Sequence, residues 1–504
     1  MQGNNNLLNI ISTYANKVWS FVSVFIFIPL YIKYLGMEAY AVVGFYSLLL
    51  GIISFADAGL SSAITREFAT SHTNNYKYSV LLLIEKKYAL ICFIIAFLVF
   101  IFAPLISEYW LTSQTITITT LTYYIRLIGV GVSIQLISSL YFGAMFGLHH
   151  QVQANSFQLI WIIFRSLGAV VLLILISNTL EVFFIWQIIC NVIYLFILRT
   201  TLISVLKRNI QKLYVEIKKI PYDILKYVGG MSLVAIISSV NSQIDKIVVS
   251  SSFSLSVYGY FTVASSLSQV PTMLGSPLVY SLFPKFTNLV SEKKIEIIRK
   301  GFEKSSIILN SIVFITALCI LFYTEELMNL WLKNSIEESN KLIIRHLVYY
   351  LTIGNIFLAL QLLFYYILLS HGETKYTLRQ GIVQIGFGVP LLYFLVNQIG
   401  IIGAGIYWIL INLGSYIYLY IIVWNKFVKF NRTNYIIKYS FFPLFFSSIV
   451  FVIGRQLFKL SDHSFFIYLF LSSLISVLVN LIFYNYTFRH YIFNFKNTFN
   501  FFEE

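Results

Sequence analysis

Five charged residues sit deep inside apolar stretches of this sequence: Lys17, Asp57, Arg126, Arg165 and Asp245. A charge near the centre of a membrane helix costs ~2.5 to 3.5 kcal/mol, so such residues persist where they face protein or water. Arg66 follows nine residues after Asp57. That separation is about 13 Å along a helix, too far for a direct pair, and it leaves Arg66 near a span end, where it can snorkel to headgroups. Polar neighbours recur at helical spacing, as in Ser54, Asp57 and Ser61, in Asn155, Gln158 and Arg165, and in Ser238, Asn241 and Asp245. Such stripes mark the inward side of a helix. The cations suit an anionic ligand, with paired donors on each guanidinium. The aspartates suit charge balance or the carriage of a cation. The plainer alternative is a buried salt bridge or hydrogen bond that ties two helices together.

The elements that position these residues are membrane helices. The chain is 58% hydrophobic and 11% charged over 504 residues, with a mean hydropathy of +0.80; a soluble domain carries roughly 25% charge. About fourteen apolar runs of spanning length are expected. The first six cover 10–33, 40–70, 80–104, 116–146, 152–176 and 181–203, and the next six cover 227–251, 257–289, 307–331, 346–370, 380–397 and 402–423. Two more, 441–458 and 465–488, follow as an appendix. The domain reading is an N-lobe over 1–206, a basic linker over 207–226, a C-lobe over 227–425, and C-terminal spans thirteen and fourteen with a tail over 426–504.

The net charge of +15 is concentrated in short loops, which points to membrane topology and anionic headgroups rather than nucleic acid. Lys207, Arg208, Lys212, Lys218 and Lys219 follow span six, and Lys293, Lys294, Arg299, Lys300 and Lys304 follow span eight. Lys426, Lys429, Arg432, Arg489 and Lys496 fall on the same side, whereas Glu325, Glu326, Glu337 and Glu338 mark the other. Both termini are therefore expected in the cytoplasm. Cys92, Cys190 and Cys319 lie singly in apolar runs and read as packing residues. Arg455, near the end of span thirteen, reads as a snorkelling side chain.

A faint internal repeat pairs Tyr40 with Tyr258, Ser47 with Ser265, Leu49 with Leu267, Leu60 with Leu278 and Phe68 with Phe286. An even number of spans per half makes the repeats parallel. The expected fold is thus an all-α integral membrane protein, with two six-helix lobes around a central cavity plus two C-terminal helices. Pro271, Gly275, Pro277 and Pro284 should bend span eight, making it a candidate gate, and Gly44, Gly51 and Gly59 permit bending or close packing in span two.

Pro29-Leu30, then Leu35-Gly36-Met37-Glu38-Ala39-Tyr40, Asp57-Ala58-Gly59-Leu60 and Arg66 resemble the start of the Wzx-type polysaccharide flippases, within the multidrug/oligosaccharidyl-lipid/polysaccharide exporter superfamily. Gln243-Ile244-Asp245-Lys246 and Val257-Tyr258-Gly259-Tyr260 resemble the same family's second half. Ala41 departs from the glycine usual there. The resemblance implies a flippase that moves an undecaprenyl-pyrophosphate-linked oligosaccharide across a bacterial inner membrane by alternating access, for O-antigen or capsule synthesis. Lys17, Arg126, Arg165 and Arg66 would then hold pyrophosphate or sugar, and Asp57 and Asp245 would balance charge or carry a coupling proton or sodium ion. Membrane lipids, a polysaccharide polymerase and a chain-length regulator would be its partners, with no resident cofactor or metal and no catalytic residues. A drug or cation exporter of the same superfamily, or a membrane polymerase, are the alternatives. The first should favour acidic cavity residues, and the second a long outward loop bearing catalytic side chains.

Overall fold

The computed structural model describes residues 2–54, 57, 60–70, 73–207, 222–333, 335–428, 435–459 and 464–488. Among them the regular structure is helical, apart from an isolated β-bridge between Thr112 and Ser254. Gly59, Arg208, Lys212, Lys218, Lys219, Lys429, Arg432, Arg489 and Lys496 lie outside the described residues. The chain divides into two compact units, Met1–Gly259 and Tyr260–Glu504.

The first unit contains α1 (Gln2–Leu35), α2 (Met37–Ile53), α3 (Leu60–Ala69), α4 (Asn74–Leu105), α5 (Ile118–Gly147), α6 (Gln151–Leu175), α7 (Leu180–Lys207) and α8 (Tyr222–Ser252). Gly36 makes the tight α1–α2 turn at φ +85°, a conformation that strains any residue with a Cβ. Thr73 and Thr117 cap α4 and α5 by accepting from the backbone N–H groups of Tyr76 and Thr120. α4 shows how a membrane helix divides its surface. Val80, Leu81, Ile84 and Tyr88 are buried, while Phe93, Phe97, Phe100 and Ile101 are exposed. Bilayer-facing apolar residues need no protein cover.

The second unit contains most of α9 (Leu255–Ser268), then α10 (Val270–Ser291), α11 (Ile295–Leu332), α12 (Glu338–Ser370), α13 (Thr374–Ile399), α14 (Ile402–Val423), α15 (Phe442–Lys459) and α16 (Phe465–Phe488). Its core is aromatic. Phe302 stacks on Tyr435 at 5.7 Å, and Phe364 meets Tyr416 and Tyr420 at 5.6 and 5.8 Å. The turn that leads into α15 docks on α11, where Asn310 donates to the Tyr439 carbonyl and Tyr435 donates to Ser306 at 3.0 Å. Arg455 does not snorkel as expected. It pairs with Glu326 of α11 and lies over the Tyr323 and Phe458 rings, so protein satisfies its charge.

Among the described residues eleven helices are long and apolar enough to cross a membrane, which makes the chain a multi-pass membrane protein; the count of fourteen is not reached among them on that measure. The three expected spans outside it are the interrupted or polar ones. Span two is occupied by α2 and α3, and span eight by α9 and α10, which meet at Gln269, two residues before the first expected proline, Pro271 within α10. Span seven is the single helix α8, whose Asn241, Gln243, Asp245 and Lys246 dilute its apolarity. Tyr40 and Tyr258, Leu49 and Leu267, and Phe68 and Phe286 are all buried, whereas Ser47 is exposed and Ser265 buried.

Candidate functional site

A polar column runs through the first unit along one side of α5. At one level Gln135 Oε1 accepts from Tyr46 OH at 2.7 Å and from Arg165 Nη1 at 3.5 Å. Asn191 closes this layer, donating to the Gly131 carbonyl at 3.0 Å and to Tyr46 OH at 3.5 Å. Arg165 is half-buried and lies 4.5 Å from the centre of the Trp161 ring, which stacks in turn on Tyr194 at 4.8 Å. One helical turn along α5, about 6 Å away, Ser139 lies 3.3 Å from Ser61 Oγ. Ser61 and Tyr88 both donate to Asp57 Oδ1, at 2.5 and 2.9 Å. Among the described residues Arg165 has no carboxylate within 4.0 Å, and Asp57 no cation.

Close backbone approach holds α3, and with it the Asp57 partner Ser61, against α5. A Cβ on Gly147 would stand 2.5 Å from the Thr65 carbonyl oxygen, and one on Gly143 would stand 2.9 Å from that of Ser61. Thr65 Oγ1 donates to the Gly143 carbonyl at 2.9 Å across the same contact. Small residues four apart are the sequence signal for such a seam. Gln135 and Ser139, also four apart, were equally legible as a polar stripe and were not singled out by the charge-based reading.

The other expected site residues are dispersed. Arg126 is nine residues before Gln135, half a helical rotation round α5. It lies 4.3 Å from the centre of the exposed Phe100 ring, and its Nε is buried without a hydrogen-bond partner. Lys17 is exposed, while its neighbour Asn16 turns inward and donates to the Asn155 carbonyl at 2.8 Å and to Gln158 at 3.3 Å. Arg66 is exposed on α3. Asp245 on α8 is 5% exposed, and its Oδ1 has no hydrogen-bond partner. Next to it, Gln243 packs over Gly51 of α2.

Three further charged residues were not singled out in the sequence as site candidates. Glu85 and Arg199 form an ion pair at 2.8 Å between α4 and α7. Glu38 accepts from Ser113 Oγ at 2.7 Å, from Thr115 Oγ1 at 2.6 Å, from the Thr115 N–H at 3.0 Å and from Ser256 Oγ at 3.2 Å. It thereby ties three chain segments together beside the Thr112–Ser254 bridge.

The second unit holds a polar ladder of different chemistry. Gln380 donates to Gln361 at 3.2 Å, Gln361 to Asn412 at 3.3 Å, Gln384 to Ser415 at 2.7 Å, and Asn355 to Ser268 at 3.3 Å. Each member is neutral.

The family model described as polysaccharide biosynthesis protein matches residues 6–290, more than half of the 504-residue chain. The chain belongs to the polysaccharide biosynthesis protein family. That match takes in the whole polar column and all six charged residues expected at the site. No curated protein matches the sequence. Among solved structures, this family member is similar to the lipid II flippase MurJ in an inward closed conformation, with a TM-score of 0.68 and 16% identity, covering 96% of this chain and 99% of that one. It is also similar to an inward-facing multidrug resistance MATE transporter of the MOP superfamily, at TM-score 0.61, 16% identity and 81% and 93% coverage. The Vibrio cholerae MATE transporter VcmN in its bent form aligns at TM-score 0.55 with 13% identity, covering 85% and 99%. At such identities the likeness establishes a shared fold.

Proposed function

We propose that this polysaccharide biosynthesis protein is a flippase. It moves an undecaprenyl-pyrophosphate-linked oligosaccharide from the cytoplasmic to the periplasmic face of a bacterial inner membrane by alternating access, for O-antigen or capsule synthesis. The observation that carries the reading is Arg165. A half-buried guanidinium in mid-membrane, held by a glutamine and an indole face and with no described carboxylate beside it, has charge left for an anionic ligand. A lipid-linked pyrophosphate supplies that charge together with a lipid that belongs in the bilayer. The family and the lipid II flippase fold support the same class of cargo.

In this reading Arg126, Lys17 and Arg66 attend the phosphates as they pass, and Asp57 and Asp245 carry a coupling proton or sodium ion or balance the cations. Asp57 is held by two hydroxyl donors that can accommodate either protonation state, and Asp245 is buried with an oxygen unfilled. Both termini are cytoplasmic, and the flipped units pass to a polymerase and its chain-length regulator.

Gene deletion, scored by surface polysaccharide and by the sidedness of lipid-linked repeat units in membrane vesicles, tests the reading. Loss of surface glycan with units trapped on the cytoplasmic face supports it. Units that reach the periplasmic face but fail to polymerise would make the protein a polymerase, and unchanged glycan would favour a drug exporter.

A further inference from the structure

The Glu38 cluster lies apart from the polar column and takes no part in the cargo contacts. Its carboxylate is 7% exposed at the first turn of α2 and accepts from five donors, Ser113 Oγ, the Gln114 N–H, the Thr115 N–H and Oγ1, and Ser256 Oγ. Further contacts converge on the same place. Thr112 bridges Ser254, and the Leu255 N–H donates to the Thr112 carbonyl at 2.8 Å. A Cβ on Gly259 would stand 2.8 Å from Met37 Sδ and 3.1 Å from the Met37 carbonyl oxygen, so a glycine there lets the start of α9 come close to the start of α2. Deeper in the cluster, Trp110 Nε1 donates to Ser250 Oγ at 2.9 Å, and Phe45 meets the Trp110 ring edge-on at 5.6 Å. All of these residues belong to the first unit.

The Glu38 partners lie 75 to 218 residues away in sequence, so the cluster fastens one end of the helix group rather than a local turn. The fastening is made of hydroxyls, a carboxylate and a single bridge. Gly36, Thr112, Gln114, Thr115 and Ser252 around it are exposed. Water at such a rim can replace each donor, so the hydrogen bonds break at small net cost. On the topology proposed above, the α1–α2 turn at Gly36, the 106–117 connection and the turn between α8 and α9 share the periplasmic end. Alternating access keeps that end shut while cargo enters from the cytoplasm and opens it for release.

We propose that the Glu38 cluster is a periplasmic latch, which frees the 254–256 segment from α2 and from residues 112–115 in each transport cycle and closes again on return. The proposal rests on the flippase reading and adds the element that holds one of its two states. Closed, the five hydrogen bonds and the bridge favour the sealed end. Open, water takes the place of each partner at the rim. The latch thereby sets the balance between the two states without touching cargo.

The test joins Thr112→Cys with Ser254→Cys in the full chain and reads flipping as the sidedness of lipid-linked repeat units in membrane vesicles. Residues bridged between neighbouring strands stand about 4.8 Å apart, inside the range of roughly 4.4 to 6.8 Å that a disulfide accepts. Linked to about 90%, the double variant should flip about tenfold more slowly than the same protein after dithiothreitol, because only the unlinked fraction opens. Each single substitution should flip equally in oxidant and in reductant. Flipping by the linked protein at the reduced rate overturns the latch, since the segments then never part. Glu38→Gln supplies a second measurement, because it keeps the shape but places an amide donor among the donors. It should speed labelling of Ser250→Cys, at a site 1% exposed beneath the latch, by a membrane-impermeant maleimide. The expected change is about three- to tenfold, and unchanged labelling overturns the latch. A wild type that leaves the repeat units on the cytoplasmic face overturns the flippase reading instead, and the labelling rate then judges the latch by itself.

Discussion

The two units solve the same packing problem with different chemistry. Each must satisfy polar side chains at membrane depth; besides the closed Arg455–Glu326 pair, the second does so with a ladder of neutral amides and hydroxyls, Gln380, Gln361 and Asn412 passing hydrogen bonds from helix to helix. The first places Arg165 and Asp57 one helical turn apart on a comparable ladder, without an ion pair to either among the described residues. An amide ladder satisfies its members at little net cost, because each buried donor finds an acceptor. A lone charge is far more expensive to hold. Since amides and a closed ion pair suffice in one unit, packing alone gives no reason for unpaired charge in the other. Where the first unit does use charge for cohesion, at Glu85 and Arg199, the two signs are paired at 2.8 Å.

The contrast breaks most directly at Arg165. Arg165→Gln keeps a polar side chain at this position without the charge, and should lower flipping about a hundredfold, equivalent to ~2.7 kcal/mol in the barrier. Lipid-linked units would accumulate on the cytoplasmic face of vesicles. Normal flipping by a well-expressed Arg165→Gln protein removes the pyrophosphate assignment. Asp57→Asn should have the next largest effect, about tenfold, because the amide oxygen still accepts from Tyr88 while the charge is gone. Flipping would then lose its dependence on the proton or sodium gradient, and an unchanged dependence would end the coupling role.

Stability measurements sharpen the same contrast. Gly147→Ala forces a methyl group against the Thr65 carbonyl and should destabilise the first unit by about 1 to 3 kcal/mol, read as a lower melting temperature in detergent. Gln361→Leu removes a link from the neutral ladder and should cost about 1 to 3 kcal/mol through the partners left unsatisfied, with transport per folded molecule unchanged. A specific transport defect there would show that the neutral ladder also serves the cargo. The smallest effect is expected at Glu296, whose 3.9 Å pair with Arg299 is surface-exposed. Glu296→Ala should shift stability by less than about 0.5 kcal/mol.

Much of the fold was legible before any coordinates. Span-length apolar runs, the polar side of α6 through Asn155, Gln158 and Arg165, and the buried repeat pairs around Tyr40 and Tyr258 all follow from hydropathy and period. The candidate site was legible only in part. A search for charges finds Asp57 and Arg165 but treats Arg126 as their equal, although it sits half a rotation away over Phe100. The same search passes over Tyr46, Tyr88, Gln135, Ser139 and Asn191, which hold the column, because neutral polar residues are common in membrane helices and their partners are distant in sequence. Glu38 was quoted within a family motif, yet the segments it joins, 113–115 and 256, lie far along the chain.

The sequence by itself determined that this chain is helical and membrane-embedded, with its charges confined to loops and a few interior positions, because the bilayer admits few alternatives for a backbone with so little charge. Tertiary structure decided which interior charges share a column and which are merely buried or exposed. Periodicity gives the angle of a side chain about its own helix. What stands opposite depends on how closely neighbouring helices approach, and here the packing of Gly143 and Gly147 against Ser61 and Thr65 sets that approach.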